Sequence, residues 1–289
     1  MSHNGVTEPD GSPVTRAGSP PHRAAVLGSP IRHSLSPVLH GAAYAALGLS
    51  DWRYEAFECD EAALPAFVEG LGPEWAGLSL TMPLKRVALA VATEISPLAS
   101  AVGAANTLLL GARRRAENTD VAGILAALRE AGLDRVGAAV ILGAGGTAQA
   151  ALAALRELGE CTPAVVVRDP ARTGQLREAA DRLGMAPTIS GGLPDVEWPE
   201  ADVVISTLPP GAADALRPQR WAAGTVVLDV VYTPWPTPFA GSALAGGCRI
   251  VSGLAMLLHQ AGAQVELMTG RVAPVDQMRA ALEAAARRR

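Results

Sequence analysis

Three polar clusters in the first half of the chain could do chemistry together. They are Ser34-Leu35-Ser36-Pro37 with His40, Ser79-Leu80-Thr81-Met82-Pro83-Leu84-Lys85, and Gly103-Ala104-Ala105-Asn106-Thr107 with Asn118-Thr119-Asp120 close behind. Converging on one cleft, these hydroxyls, an amide, an amine and a carboxylate suit a small polyhydroxylated ligand that also carries a carboxylate. Serine hydroxyls can donate to a carboxylate, and Asn or Asp can hold a ring diol. Each cluster also has a structural reading. Ser34 and Ser36 could cap a helix at Pro37, and Asn118-Thr119-Asp120 could form a turn and an N-cap. Lys85 taken alone reads as a solvated surface lysine. His40 reads as a structural helix residue before a proton shuttle, and His259 as packing. No His/Cys/Asp grouping suggests a metal site.

A fourth signal lies further on. Val140-Ile141-Leu142-Gly143-Ala144-Gly145-Gly146-Thr147-Ala148 reads as a strand, a tight glycine turn and a helix N-terminus in succession. Gly143 permits the turn, Gly145 lets backbone approach a pyrophosphate, and Gly146 opens a helix whose N–H groups and dipole face that anion. This is the pattern of a dinucleotide site, with an ordinary glycine-rich βα turn as its structural alternative. The next strand ends in Val167-Arg168-Asp169-Pro170. An acid there would bind a free ribose 2′-OH, whereas an arginine would take a 2′-phosphate. Arg168 is the better placed, because Asp169 before proline fits an N-cap. NADP is therefore the expected cofactor, with NAD or dual use left open.

Positioning these groups requires alternating strands and helices, and the sequence supplies them. Strands are expected at 24–28, 52–57, 77–82 and 106–110, with helices at 36–47, at 60–71 capped by Asp60, and after Lys85. A basic turn at Arg113–Arg115 reads as a hairpin tip. A connecting helix at 119–131 precedes strands at 138–142, 164–167, 202–205 and 225–230, and helices at 254–268 and 274–286 close the chain. The expected fold class is α/β with two domains, a mainly parallel α/β substrate domain followed by a Rossmann-type dinucleotide domain. Ligands should lie in the cleft at the carboxyl ends of the strands.

Composition narrows the class. The chain has 289 residues, room for about two domains. It is 49% hydrophobic, enough for sizeable cores, so general disorder is excluded. Net charge is −4, which offers no basic surface for nucleic acid. The 3 cysteines are widely spaced and odd in number, which argues against a disulfide framework and suits a reducing cytoplasm. Residues 1–22 are polar and rich in Gly, Pro and Ser, so they read as a disordered tail. No run approaches the roughly 18 apolar residues a membrane helix needs. No interface is marked, and a monomer or a homodimer would both fit.

Taken together, the motifs resemble the shikimate dehydrogenase (shikimate/quinate dehydrogenase) family, from about Ala24 to Ala285. S-x-S-x-x-x-H, (N/S)-x-T-x-P-x-K, G-A-x-N-T and N-T-D appear in family order. After the glycine turn, Asp229-Val230-Val231-Tyr232 with Thr237-Pro238 is similar to its D-x-x-Y…T-P segment, and 253–261 to its G-x-x-M-L-x-x-Q-A helix. The resemblance implies that Ser34 and Ser36 bind a substrate carboxylate. It implies that Thr81, Asn106, Asp120, Tyr232 and Gln260 surround ring hydroxyls, with Lys85 as the acid–base group and Asp120 as its partner. Gly143, Ala144, Gly145, Gly146, Thr147, Ala148 and Arg168 would hold the cofactor, with Thr207, Val230 and Gly253 near the nicotinamide. The implied reaction is reversible NADPH-dependent reduction of 3-dehydroshikimate to shikimate, a step of aromatic amino-acid biosynthesis. The implied domains are 23–118, completed by 254–289, and 119–253. Hydride reduction of a ketone leaves an alkoxide, which an ammonium stabilises and protonates; such general acid help is typically worth about 10²–10⁴-fold. Three departures stand out: Ser79 where the family often has Asn, Asp169 after Arg168, and Ile205-Ser206-Thr207 in place of Asn-Ala-Thr. Two other readings compete: an NAD-dependent quinate/shikimate dehydrogenase and a non-catalytic NADP-binding sensor.

Overall fold

Short runs rich in Val, Ile and Leu alternate with Ala/Leu helices, and the runs assemble into two six-stranded sheets. The structure is a computed structural model and describes residues 22–192, 200–214, 216 and 221–288. The first part runs β1 (His22–Gly28), α1 (Ser36–Ala46), β2 (Trp52–Glu58), α2 (Leu64–Glu69), β3 (Trp75–Leu80) and α3 (Val87–Val91). It continues with β4 (Glu94–Ile95), α4 (Pro97–Val102), β5 (Thr107–Leu109) and β6 (Arg115–Glu117). The strands lie in the order β2-β1-β3-β5-β6-β4. β1 pairs parallel with both β2 and β3, and β4 with β6. β5 is antiparallel to β3 and β6, so the sheet is mainly but not wholly parallel, as expected. The basic turn lies at the β5–β6 hairpin, where Arg115 already belongs to β6 and pairs with Glu117 at 2.7 Å.

Several expectations need correction here. Of the tail expected at 1–22, residues 1–21 lie outside the described residues, and His22 is not tail but the first residue of β1, its ring stacked on Trp52. The helix expected at 60–71 shrinks to α2. Asp60 does not cap it; its carboxylate accepts from Ala63 N at 2.9 Å and closes the turn ahead of the helix.

α5 (Asp120–Glu130) leads into the second sheet. There follow β7 (Ala139–Leu142), α6 (Gly146–Glu157), β8 (Ala164–Val166), α7 (Gly174–Leu183), β9 (Thr188–Ser190), β10 (Val203–Ser206), β11 (Val226–Asp229), α8 (Pro238–Ala245) and β12 (Arg249–Ser252). The order is β12-β11-β10-β7-β8-β9 and every pairing is parallel. Renumbered from β7, this is the 3-2-1-4-5-6 doubly wound arrangement, with its switch point between β7 and β10. β7, β10 and β11 are buried along their whole length, as strands covered by helices on both faces must be.

α9 (Gly253–Thr269) and α10 (Val275–Ala286) return to the first sheet. Leu258, Val265 and Met278 from these helices share a core with Leu35, Leu39 and Tyr44. α9 also crosses α5 closely, with Gly123 against Met256 and Gln260. Among the described residues no helix is long and apolar enough to cross a membrane.

Candidate active site

A cavity of about 310 Å³ opens at the carboxyl ends of β1 and β3, beneath α9. Its walls include Ser34, Ser36, Thr81, Lys85, Asn106, Asp120, Tyr232 and Gln260, so every residue expected at the substrate is brought to one place. Lys85 lies in the turn after β3, where Leu84 N donates to Thr81 O at 2.7 Å. Asp120 is the first residue of α5, an end that favours a negative charge. Lys85 Nζ donates to Asp120 Oδ2 at 2.6 Å, and their side chains are only 19% and 6% exposed. That burial sets the pair apart from a surface ion pair, whose members are solvated and mobile.

Two backbone groups fix the direction of the hydrogen bonds around this pair. Thr119 N–H can only donate, and it donates to Asn106 Oδ1 at 2.7 Å. Asn106 Nδ2 must then face the other way, where it donates to Asp120 Oδ1 at 2.9 Å and to Gln260 Oε1 at 3.2 Å. Both oxygens of Asp120 are thereby held, one by the amide and one by the lysine. The Asn106 carbonyl can only accept, and Gln264 Nε2 donates to it at 3.2 Å. Gln264 Oε1 accordingly accepts from Ser79 Oγ at 2.8 Å, and Ser79 accepts from Tyr54 OH at 2.6 Å. A directed chain, Tyr54 to Ser79 to Gln264 to Asn106, underlies the cavity and stiffens it.

Gln264 and Tyr54 were not singled out from sequence. Gln264 is buried and lines the cavity. It sits four positions after Gln260 on α9, hence on the same face, and that spacing was the available signal. The capping reading of Ser34 and Ser36 is not met, because α1 starts at Ser36 itself with Leu35 at the N-cap and no side-chain cap; Ser36 N donates to Ser34 Oγ at 3.3 Å, and both serines line the cavity. Asn118 is structural, donating to Ala104 O at 2.8 Å and accepting from Val121 N.

A second cavity, of about 470 Å³, meets the first at Thr81, Lys85 and Thr147. Gly145, Gly146, Thr147 and Thr207 line it on the side of the second sheet. Gly143 has φ +106°, and a Cβ there would come within 2.6 Å of Thr207 Oγ1, so the turn requires glycine. Its N–H is spent on Val166 O at 3.0 Å, and Thr207 Oγ1 donates to Leu142 O at 2.8 Å. Ala144 packs on the core, and the Ala148 side chain is wholly buried, leaving Ala148 only its backbone N–H to offer. α6 begins without a side-chain cap at Gly145, so its first N–H groups are available to an anion. The glycine cradle, the uncapped helix end and the adjoining cavity fit a dinucleotide pyrophosphate. Val230 and Gly253 line the first cavity, and a Cβ on Gly253 would overlap the Val230 carbonyl. Arg168 stands apart, exposed in the loop after β8, lining neither cavity. Asp169 accepts from Ala171 N at 3.0 Å, the capping role expected of it, although on a single 3₁₀ turn.

His40 is fully buried beneath the cavity, stacked on Tyr54 with centroids 3.8 Å apart. Burial lowers its pKa to about 3, opposed in part by the nearby Gln264 amide, so the ring is neutral and structural. Burial likewise raises the Tyr54 phenol, with the Ser79 and Ser36 hydroxyls pulling back. His259 Nε2 lies 3.0 Å from Glu130 Oε1, a carboxylate also held by Arg279 at 2.5 Å, which ties α9 to α5 and α10. Among the described residues no group of His, Cys, Asp and Glu could hold a metal ion.

Comparison with known proteins gives concordant matches. The family model of the shikimate dehydrogenase substrate binding domain matches residues 26–108. That of the shikimate 5'-dehydrogenase C-terminal domain matches 253–283. The shikimate dehydrogenase (NADP(+)) of Moorella thermoacetica is 38% identical over 274 residues, 88% of this chain and 90% of that protein. The crystal structure of Mycobacterium tuberculosis shikimate dehydrogenase is similar with a TM-score of 0.78 at 45% identity, covering 92% of this chain and 100% of that one. That of Thermus thermophilus shikimate 5-dehydrogenase, in complex with NADP(H) and shikimate, gives 0.77 at 33% identity over 91% and 99%.

Proposed function

The chain belongs to the shikimate dehydrogenase family, and on that premise we propose that its cleft reduces 3-dehydroshikimate to shikimate, reversibly and with NADPH, through Lys85 and Asp120. The observation that carries this reading is the buried 2.6 Å contact between Lys85 Nζ and Asp120 Oδ2 on the wall of the shared cavity. Asp120 accepts from the ammonium through one oxygen and is fixed by Asn106 through the other, which aims the lysine at one point in the cavity. From there the ammonium donates a proton to the oxygen of the ketone being reduced, and the neutral amine takes it back in the reverse direction. Ser34 and Ser36 hold the carboxylate, while Thr81, Asn106, Tyr232 and Gln260 meet the ring hydroxyls.

The α6 N-terminus at Gly145–Ala148 would hold the pyrophosphate, Arg168 the 2′-phosphate, and Thr207, Val230 and Gly253 the nicotinamide end. When bound, the cofactor supplies the hydride. The substrate unit is 23–118 completed by 254–289, and the cofactor unit is 119–253; the shared core of α1, α9 and α10 supports this division. NAD-linked quinate oxidation and a non-catalytic NADP sensor are weaker readings, since the relatives are NADP dehydrogenases and the acid–base pair is intact.

Steady-state rates with shikimate or quinate, each against NADP and NAD, test the proposal. Shikimate with NADP should give the highest kcat/KM. Quinate oxidation with NAD and no NADP-linked turnover of shikimate would overturn it, and so would tight binding without turnover.

A further inference from the structure

The segment Asp229–Pro238 resembles a family motif, yet the proposed reaction uses only Val230 and Tyr232 from it. Asp229 ends β11 and is 1% exposed. Burial raises its pKa, which the hydrogen bond from Thr237 and others oppose. Among the described residues no cation pairs with it. A carboxyl buried without a counter-charge is costly, so a residue that only filled space would be cheaper as an apolar side chain.

Its hydrogen bonds show what it holds. Oδ2 accepts from Thr237 Oγ1 at 2.7 Å, and Oδ1 accepts from Val231 N at 3.2 Å. Thr237 Oγ1 in turn accepts from Ala240 N at 3.1 Å and caps α8, so its proton has to go to Asp229. The two side chains thus close the loop 230–236 at its base. That loop carries Val230 and Tyr232 to the wall of the cavity. Val230 is also held by its N–H on Ser206 O at 3.0 Å and by Gly253 packed under its carbonyl.

We propose that Asp229 and Thr237 are positioning residues: closed on each other, they set the course of the loop 230–236 and so the places of Tyr232 and Val230 at the ligand. The proposal rests on the shikimate dehydrogenase reading for its kinetic effect. Asn at 229 keeps the shape and the acceptor for Val231, but turns an NH₂ group toward a hydroxyl that already accepts from Ala240. The hydroxyl proton then loses its acceptor.

Asp229→Asn, Thr237→Val, Thr237→Ser and the double variant Asp229→Asn/Thr237→Val separate the outcomes. In Asp229→Asn and Thr237→Val, KM for shikimate should rise about tenfold, the cost of one buried hydrogen bond, while kcat falls less than about threefold. Thr237→Ser keeps the hydroxyl and should stay near wild type. The double variant should be no worse than the poorer single one, because the two act as a unit. A purely structural role would lower kcat with the active fraction and leave KM alone, and that pattern overturns the proposal. Multiplying KM effects in the double variant also overturn it. Hydrogen exchange of the 230–237 peptide should quicken in Asp229→Asn and Thr237→Val but not in Thr237→Ser, and it needs no turnover. If wild type fails to oxidise shikimate with NADP, the functional reading falls, while unchanged exchange in Asp229→Asn and Thr237→Val sinks the clamp by itself.

Discussion

Gly123→Ala tests the packing that places Gln260. Gly123 sits in α5 where that helix crosses α9, and a Cβ there would come within 2.7 Å of Met256 O and 2.9 Å of Gln260 Cβ. Ordinary contact begins at 3.4 Å, so the helices must part locally by roughly 0.7 Å to admit a methyl group. Two effects on stability oppose each other. Alanine gains about 1 kcal/mol over glycine in a helix interior, while overpacking costs about 1–3 kcal/mol. The variant should therefore lose no more than about 2 kcal/mol and stay folded. Function should suffer more. Met256 and Gln260 both line the cavity, and displacing a positioning group by about 1 Å costs on the order of 10²-fold. We expect kcat/KM for shikimate to fall about 10- to 100-fold, mainly through KM. Gly41→Ala in α1 is the control, since an added Cβ there meets nothing within 4 Å. It should gain up to about 1 kcal/mol with unchanged kinetics. Thermal denaturation and steady-state kinetics on both variants decide the matter. If Gly123→Ala keeps kcat/KM within about twofold of wild type, the α5–α9 contact has slack and the reasoning fails.

Two further outcomes follow from particular side chains. Arg168→Ala should raise KM for NADPH by about 10- to 100-fold, the range of a lost charged hydrogen bond, with little change for NADH; equal effects on both would remove Arg168 from the 2′-phosphate. His40, with its pKa lowered to about 3 from 6.5 by burial, stays neutral in the fold but takes up a proton on unfolding between those pH values. The unfolded state then binds more protons, so stability falls as pH drops below 6.5. Between about pH 7.5 and 5.5 the loss is about 1.4 kcal/mol from this group. Urea unfolding of His40→Phe, which keeps a ring on Tyr54, should show a pH loss smaller by that amount, and an identical loss would exonerate His40.

Much of the architecture was legible because its fully buried strands and its long helices carry strong patterns. β7, β10 and β11 are continuous apolar runs, and α9 and α10 announce themselves by length. What escaped was short or half-exposed. β4 is two exposed residues, and β9 and β12 have no fully buried residue, so no periodicity marks them. α4 is short, though Ser96 before Pro97 was a readable cap. In the site, the residues that meet at the cavity were visible as polar side chains at strand and helix ends. The supports were not. Tyr54 looks like an ordinary strand aromatic, and its 2.6 Å contact with Ser79 and its stacking on His40 give it a part. Asp229 and Thr237 are eight positions apart and join only through the course of the loop between them.

The most direct measurement is the single-turnover and steady-state rate of Lys85→Met with shikimate and NADP, alongside a ligand-binding titration and a thermal melt. The side chain is replaced by an unbranched apolar one of similar reach, while Asn106 still holds Asp120. The account predicts a folded protein that binds shikimate and loses at least about 10²-fold in the rate of the chemical step. A folded Lys85→Met enzyme that keeps more than about a tenth of the wild-type rate would contradict it.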